Sequence, residues 1–265
     1  MSLSINTNLF SINAQRSVAT TQNSLSISMA RLSSGLRVNS AKDDAAGLAV
    51  ASNMMTQAKG MDVAIRNAND GISLLQVADG AQATMGDILQ RMRELAVQAS
   101  SGTYEPEDVD KLQLEFAQLA DELDRVQTQV TFNGKTILAS DQSFAIQVGA
   151  NTGDTLTINT STVAVGSLGD VSSDASGALS AVDAALEAVN TARANNGAYM
   201  SRLDNVVVNL RNMYEAQMSA YGRIMDADFA RETANLSRAQ ILQQAGVAMV
   251  AQANALPQNV LALLR

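Results

Sequence analysis

The sequence predicts a mainly α-helical chain: a long antiparallel helical bundle, or coiled coil, with a small β-hairpin region at its tip and the N- and C-terminal helices paired. Three observations carry this expectation. Helix formers dominate, with only two prolines and 3% aromatics among 265 residues. Apolar residues recur at spacings of three and four over long stretches on both sides of the middle. One central segment departs from that period. The order is therefore helix–β–helix, and folding the chain back on itself pairs the outer blocks with each other and the inner blocks into a bundle.

The first helix is expected over about residues 6–33, where Leu25, Met29, Leu32 and Leu36 share a stripe and Ser33-Ser34-Gly35 breaks it. Ser40 or Asp43 can cap the next helix, with Asp43 and Asp44 near its positive end. That helix runs over about residues 44–100, roughly 85 Å at about 1.5 Å per residue. Met61, Ile65, Ala68, Ile72 and Leu75 keep one stripe, and Met85, Ile88, Met92, Leu95 and Ala99 another. Gly60, Gly71, Gly80 and Gly86 each cost a helix interior about 1 kcal/mol relative to Ala, which points to neighbours packed closely there. Glu105-Pro106-Glu107-Asp108 opens a third helix, with Pro in the first turn and acids at the positive dipole end. Val109, Leu112, Phe116, Leu119, Leu123, Val126 and Val130 then form a heptad seam.

The period changes at Thr131. Asn133-Gly134 marks a tight hairpin, and residues 143–148 and 155–159 alternate like strands around a turn-rich 149–154. Residues 161–177, rich in Ser, Gly and Thr, read as an exposed, mobile connection. Helix resumes near Ala178, where Val182, Leu186, Val189, Leu203, Val207 and Leu210 keep a heptad register with Arg193 and Asn196 as polar insertions. The last helix covers about residues 228–264, with Leu242, Met249, Leu256 and Leu263 in one row and Gly246, Ala253 and Val260 in the other. Pro257 is positioned to kink it.

Charge then separates the ends from the middle. Residues 1–30 carry only Arg16, and residues 239–264 carry no charged side chain. A surface helix ordinarily shows water a charged face. These ends offer only Ser, Thr, Asn and Gln, so burial against each other and against further copies of the chain is expected to stabilise them. The polymerisation stripes are Leu25, Met29 and Leu32 at one end, and Leu242, Met249, Leu256, Val260 and Leu263 at the other.

Several functions are disfavoured. A balance of 18 basic against 26 acidic residues, net −8, argues against nucleic acid. Cysteine, histidine and tryptophan are absent, which removes disulfides, thiol nucleophiles, the Ser-His-Asp triad and the usual zinc ligands. No enzyme and no cofactor are expected. Glu105, Glu107, Asp108 and Asp110 lack the calcium-loop pattern, and Gly134-Lys135-Thr136 lacks the phosphate-loop Gly, Gln129 standing in its place. No apolar run is long enough to span a membrane, and the N-terminus lacks the pattern of a cleaved secretory signal. Export, if it occurs, needs a different route.

Long stretches resemble bacterial flagellins. At the start these are Ser4-Ile5-Asn6-Thr7-Asn8, Arg31-Leu32-Ser33-Ser34-Gly35-Leu36-Arg37 and Asn39-Ser40-Ala41-Lys42-Asp43-Asp44-Ala45-Ala46-Gly47. Asn69-Asp70-Gly71-Ile72-Ser73-Leu74-Leu75-Gln76, Leu89-Gln90-Arg91-Met92-Arg93-Glu94-Leu95-Ala96-Val97-Gln98 and Ile146-Gln147-Val148-Gly149-Ala150-Asn151 follow. Ser237-Arg238-Ala239-Gln240-Ile241-Leu242-Gln243-Gln244-Ala245-Gly246 and Pro257-Gln258-Asn259-Val260-Leu261 match at the end.

The resemblance implies a filament subunit in the extracellular bacterial flagellum, exported by the flagellar type III apparatus. Residues 1–40 with 226–265 would form the inner tube, D0. Residues 41–140 with 178–225 would form the next shell, D1, with 141–177 a short β/loop insert in place of large outer domains. Implied partners are further copies of the chain, an export chaperone at the C-terminal helix, and the hook-associated and cap proteins. In flagellins whose motif matches here, the surface around Gln90, Arg91, Leu95 and Glu115 contacts neighbouring subunits and is bound by the innate receptor TLR5; Met92 departs slightly from that motif. Two other readings stay open: a hook–filament junction protein with similar ends, and a secreted coiled-coil adhesin or translocator, which would lack the motifs at both ends.

Overall fold

Asn8 starts the first helix by accepting the Ser11 backbone N–H on its side-chain oxygen at 3.1 Å. The computed structural model describes residues 7–163 and 168–263, with side chains through 255. Among these the order is α1 (Leu9–Ser34), α2 (Ala45–Ala99), α3 (Pro106–Gln129), β1 (Thr131–Phe132), β2 (Lys135–Thr136), β3 (Gln142–Gln147), β4 (Thr155–Thr160), α4 (Ala175–Met225) and α5 (Phe229–Leu263). The expected helix–β–helix order is present, and α1 packs on α5. α1 stops at Gly35, whose left-handed backbone (φ 72°) lets its N–H reach the Arg31 carbonyl.

The cap of α2 differs from expectation. Asp44 holds it, accepting the Gly47 N–H at 2.8 Å. Asp43 instead closes the preceding turn, accepting from the Ser40 hydroxyl at 3.0 Å and from the Ser40 and Asn39 backbone N–H groups at 2.9 and 3.1 Å. These bonds, the Ser40 hydroxyl first, hold the Asp43 carboxyl below its ordinary range. The helix then runs unbroken past all four glycines, for two different reasons. A Cβ on Gly60 would stand 2.7 Å from the Ala150 Cβ, and one on Gly71 would press on Leu203, Ile146 and Ile158. Gly80 has open space, and Gly86 only ordinary contact with Val189. Close approach accounts for the first two alone.

The chain divides into two compact units: Met1–Thr56 with Ala216–Arg265, and Gln57–Glu215. α2 and α4 contribute a segment to each.

In the unit Gln57–Glu215, α2 supplies Met85, Leu89, Met92 and Leu95, α3 supplies Phe116 and Leu123, and α4 supplies Val182 and Val189 to one core. Burying each of the larger side chains contributes about 1.5–3 kcal/mol. The expected seam residues Leu112, Leu119, Val126 and Val130 pack against that core from its edge. Asn133 and Gly134 both take positive φ (48° and 77°) in the two-residue turn joining β1 to β2, as a type I′ hairpin requires.

The β3–β4 hairpin pairs Phe144 with Ile158 and Ile146 with Leu156. Its location refines the expectation of a β region at the tip. Leu156 and Ile158 pack against Ala68 and Leu75 of α2 and Leu203 and Val207 of α4, so the hairpin lies along the flank of the helices. The described residues of 161–177 also differ from the expected exposed connection. Val163, Leu168 and Val171 are buried in the main core, the Val171 N–H donates to Gln113 Oε1 at 2.9 Å, and Asp174 caps α4. Both polar insertions of α4 find partners: Arg193 meets Asp79 at 2.9 Å, and Asn196 Nδ2 donates to Gln82 Oε1 at 2.8 Å inside the core.

In the other unit, Val38, Ala51 and Met225 form a small core beside Leu36, Leu48 and Tyr221. The Arg37 backbone N–H donates to the Met225 carbonyl at 2.6 Å, and that of Ala227 to the Gly35 carbonyl at 2.9 Å. These bonds tie the link after α1 to the link before α5.

Candidate assembly surfaces

α1 and α5 meet through small and polar groups. Among the described side chains the buried ones are Ser11, Ser28, Glu232, Ala239 and Ala253, and a Cβ on Gly246 would strike Val18 at 2.7 Å. Asn8 Nδ2 donates to the Ala253 carbonyl and Ser11 Oγ to Asn254 Oδ1, each at 2.7 Å. Further along, Ser28 donates to Glu232 at 2.8 Å, and Arg31 approaches the same carboxylate at 4.0 Å.

Most of the described large apolar side chains point the other way. Leu9, Phe10, Ile12, Ile27 and Met29 of α1 are exposed, as are Phe229, Ile241, Leu242, Val247 and Met249 of α5. Phe10, Val18, Leu242, Gly246 and Met249 line a groove along the pair. This inverts the usual arrangement of a helix pair, which buries its large residues and exposes its small ones. Of the expected stripes, Met29, Leu242 and Met249 face outward, whereas Leu25 and Leu32 are half-buried. The side chains of Leu256, Val260 and Leu263 lie outside the described residues, as do that of Pro257 and the matched segment Ser4-Ile5-Asn6.

Sequence reasoning missed Phe10, Ile27, Phe229, Ile241 and Val247 because they fall between the heptad rows. It also missed the cluster of half-buried Arg31 with buried Glu232 and Ser28. The signal available was a pair of opposite charges at the inner edges of two charge-poor segments.

A second surface lies on α2 and α3. Arg91 Nε donates to Glu115 Oε1 at 2.9 Å, and its Nη1 to Glu94 Oε2 at 2.9 Å. Glu115 first, then Glu94, holds the Arg91 guanidinium above its ordinary range. Arg93 pairs with Asp183 of α4 at 2.6 Å. Gln90, Arg91 and Glu115 are exposed together, but Leu95 is only 1% exposed and belongs to the core beneath them. Leu95 supports this face from below and does not line it. Leu114, 69% exposed beside Glu115, and Val97, exposed beside Gln90, Arg93 and Glu94, are apolar residues the surface does present. Among the described residues no three or more His, Cys, Asp or Glu side chains group to hold a metal, and no helix is long and apolar enough to cross a membrane.

The Bacterial flagellin N-terminal helical region matches residues 5–143, and the Bacterial flagellin C-terminal helical region matches residues 179–264. This chain belongs to the bacterial flagellin family. The flagellin of Halalkalibacterium halodurans is 42% identical over 270 residues, covering 98% of this chain and 99% of the relative. That of Bacillus subtilis is 36% identical over 302 residues, with the same two coverages. The crystal structure of Bacillus cereus flagellin is similar at a TM-score of 0.50 and 33% identity, covering 55% of this chain and 88% of that one. Flagellins are structural filament proteins and not enzymes.

Proposed function

We propose that this chain is a major subunit of an extracellular flagellar filament and polymerises through the outward apolar faces of α1 and α5. The observation that carries this is the inverted helix pair: small residues inside, Phe10, Ile27, Met29, Ile241, Leu242 and Met249 outside. Apolar area of that kind is stabilised by removal from water, at about 25 cal/mol per Å². A head-to-tail contact whose rotation does not close yields an open helical polymer. Residues 1–40 with 226–265 are proposed as the inner tube, 41–140 with 178–225 as the next shell, and 141–177 as a short insert. The separate compact unit holding both chain ends supports that division, although its contact boundary falls further in, at 56/57 and 215/216.

Export through the flagellar type III apparatus, a chaperone covering α5 before export, and contacts with hook-associated and cap proteins belong to the same proposal. So does TLR5 recognition, through Gln90, Arg91 and Glu115, with Leu95 acting through the fold. The deciding experiment adds purified chain to short filament seeds and images the product by electron microscopy. Continuous elongation is expected. A protein that stays monomeric and leaves the seeds unextended overturns the assembly role.

A further inference from the structure

The chain holds 12 methionines and no Cys, His or Trp, so thioethers are its softest nucleophiles. The fold grades them by exposure, with Met54, Met55, Met200 and Met218 half-buried. Met61, Met85, Met92 and Met225 are buried. Met29, Met213 and Met249 are 58, 46 and 63% exposed. Two of these three stand on the inverted helix pair: Met29 on α1, and Met249 on α5 in the groove with Phe10, Val18 and Leu242.

We propose that Met29 and Met249 are oxidation sites whose sulfur state decides whether an unassembled subunit can join a filament. This inference rests on the assembly role above. The oxidant is a peroxide. The thioether sulfur attacks one peroxide oxygen, an S–O bond forms and the O–O bond breaks. The departing hydroxide takes the proton from the transferred oxygen and leaves as water. Sulfur loses two electrons and the peroxide gains them. The product is a sulfoxide, polar and without a proton to donate, in place of a flexible apolar group. Buried against a neighbour's apolar side chains, its oxygen lacks a donor and opposes docking. Assembly in turn shields both sulfurs, so a finished filament resists what a waiting subunit does not.

The test treats the intact free chain with hydrogen peroxide, maps added oxygen by peptide mass spectrometry, and then offers the chain to seeds. Met29, Met213 and Met249 should oxidise, with Met85 and Met92 spared, and elongation should slow about tenfold for each docking sulfoxide left unpaired. Met29→Leu/Met249→Leu, near in volume, should elongate at its own rate equally before and after the treatment, whereas Met213→Leu should slow on treatment as the natural chain does. Should the double variant assemble poorly from the start, the oxidised natural chain answers alone: methionine sulfoxide reductases for both epimers, with thiol, should restore elongation. Full elongation with both sulfoxides quantified on the peptides overturns the proposal. Failure of the untreated natural chain to elongate counts against the assembly role instead.

Discussion

Ser28 Oγ donates to Glu232 Oε1 at 2.8 Å, and both residues are buried where α1 lies against α5. The Arg31 Nε beside them has no hydrogen-bond partner among the described residues, and its Nη1 stands 4.0 Å from the same carboxylate. Here two charge-poor helices spend one of their few ion pairs. Glu232→Ala should strand the Ser28 hydroxyl and the Arg31 guanidinium at a cost of about 1–3 kcal/mol. Amide hydrogen exchange should speed up in α1 and α5 while the core around Leu89 and Phe116 keeps its protection. Unchanged protection of α1 would show that the cluster does not hold the pair.

The core pair Gln82–Asn196 predicts opposite outcomes for one and two substitutions. Asn196→Ala removes the donor to Gln82 Oε1 and opens a void, which should destabilise by about 1–3 kcal/mol. Gln82 Nε2 already lacks a partner among the described residues, so Gln82→Leu/Asn196→Leu should fall near the natural stability or above it. Urea denaturation of all three proteins decides the matter. A double variant weaker than Asn196→Ala contradicts the reading.

Gly60 and Gly80 should respond with opposite signs to the same substitution. Gly80→Ala meets open space in a helix interior and should stabilise by about 0.8–1 kcal/mol. Gly60→Ala drives a methyl into Ala150 and should destabilise, most visibly in the turn between β3 and β4. Thermal unfolding midpoints that move in the same direction would falsify the assignment of the two glycines to different causes.

The Asp43 turn should be acid-sensitive. Its carboxyl titrates below its unfolded value, so its contribution is present at neutral pH and lost as the pH falls through the folded value. Asp43→Ala should therefore lower stability at neutral pH, and the gap to the natural chain should close under acid conditions. A gap independent of pH assigns the effect to packing.

Deleting residues 1–40 and 226–265 should leave a folded, monomeric protein with the helical core intact, since the main core draws on neither segment. Circular dichroism should report a cooperative transition, and seeds should stay short. Growth of seeds by this fragment contradicts the placement of the assembly surface. For the second surface, Arg91→Ala should lower reporter-cell activation through TLR5 without unfolding the chain, because Arg91 is exposed; equal potency removes Arg91 from recognition.

Helix boundaries and the Asn133-Gly134 turn were legible because period, caps and turn chemistry are local. The heptad seam on α3 told which of its residues face the core. Burial was less legible where it depends on a partner. Leu95 belongs to a surface motif and yet points inward, because α3 and α4 cover that side of α2. Val163, Leu168 and Val171 sit in a Ser- and Gly-rich stretch whose composition conceals three core residues. On α1 and α5 the heptad rows named Met29, Leu242 and Met249 but passed over Phe10, Ile27 and Ile241. The docking of α1 on small residues of α5 rotates both helices away from the seam their own pattern suggests.

Asn8 reaches the carbonyl of Ala253 across 245 positions of chain. During synthesis the earliest helix waits for the latest, and a product interrupted before Phe229 leaves it single. Ring closure over such a span grows costlier only slowly, about 0.6 kcal/mol for each doubling of length, so the delay is one of timing more than of energy. The clasp thus records synthesis as far as α5: a chain stopped short of that helix cannot fasten it.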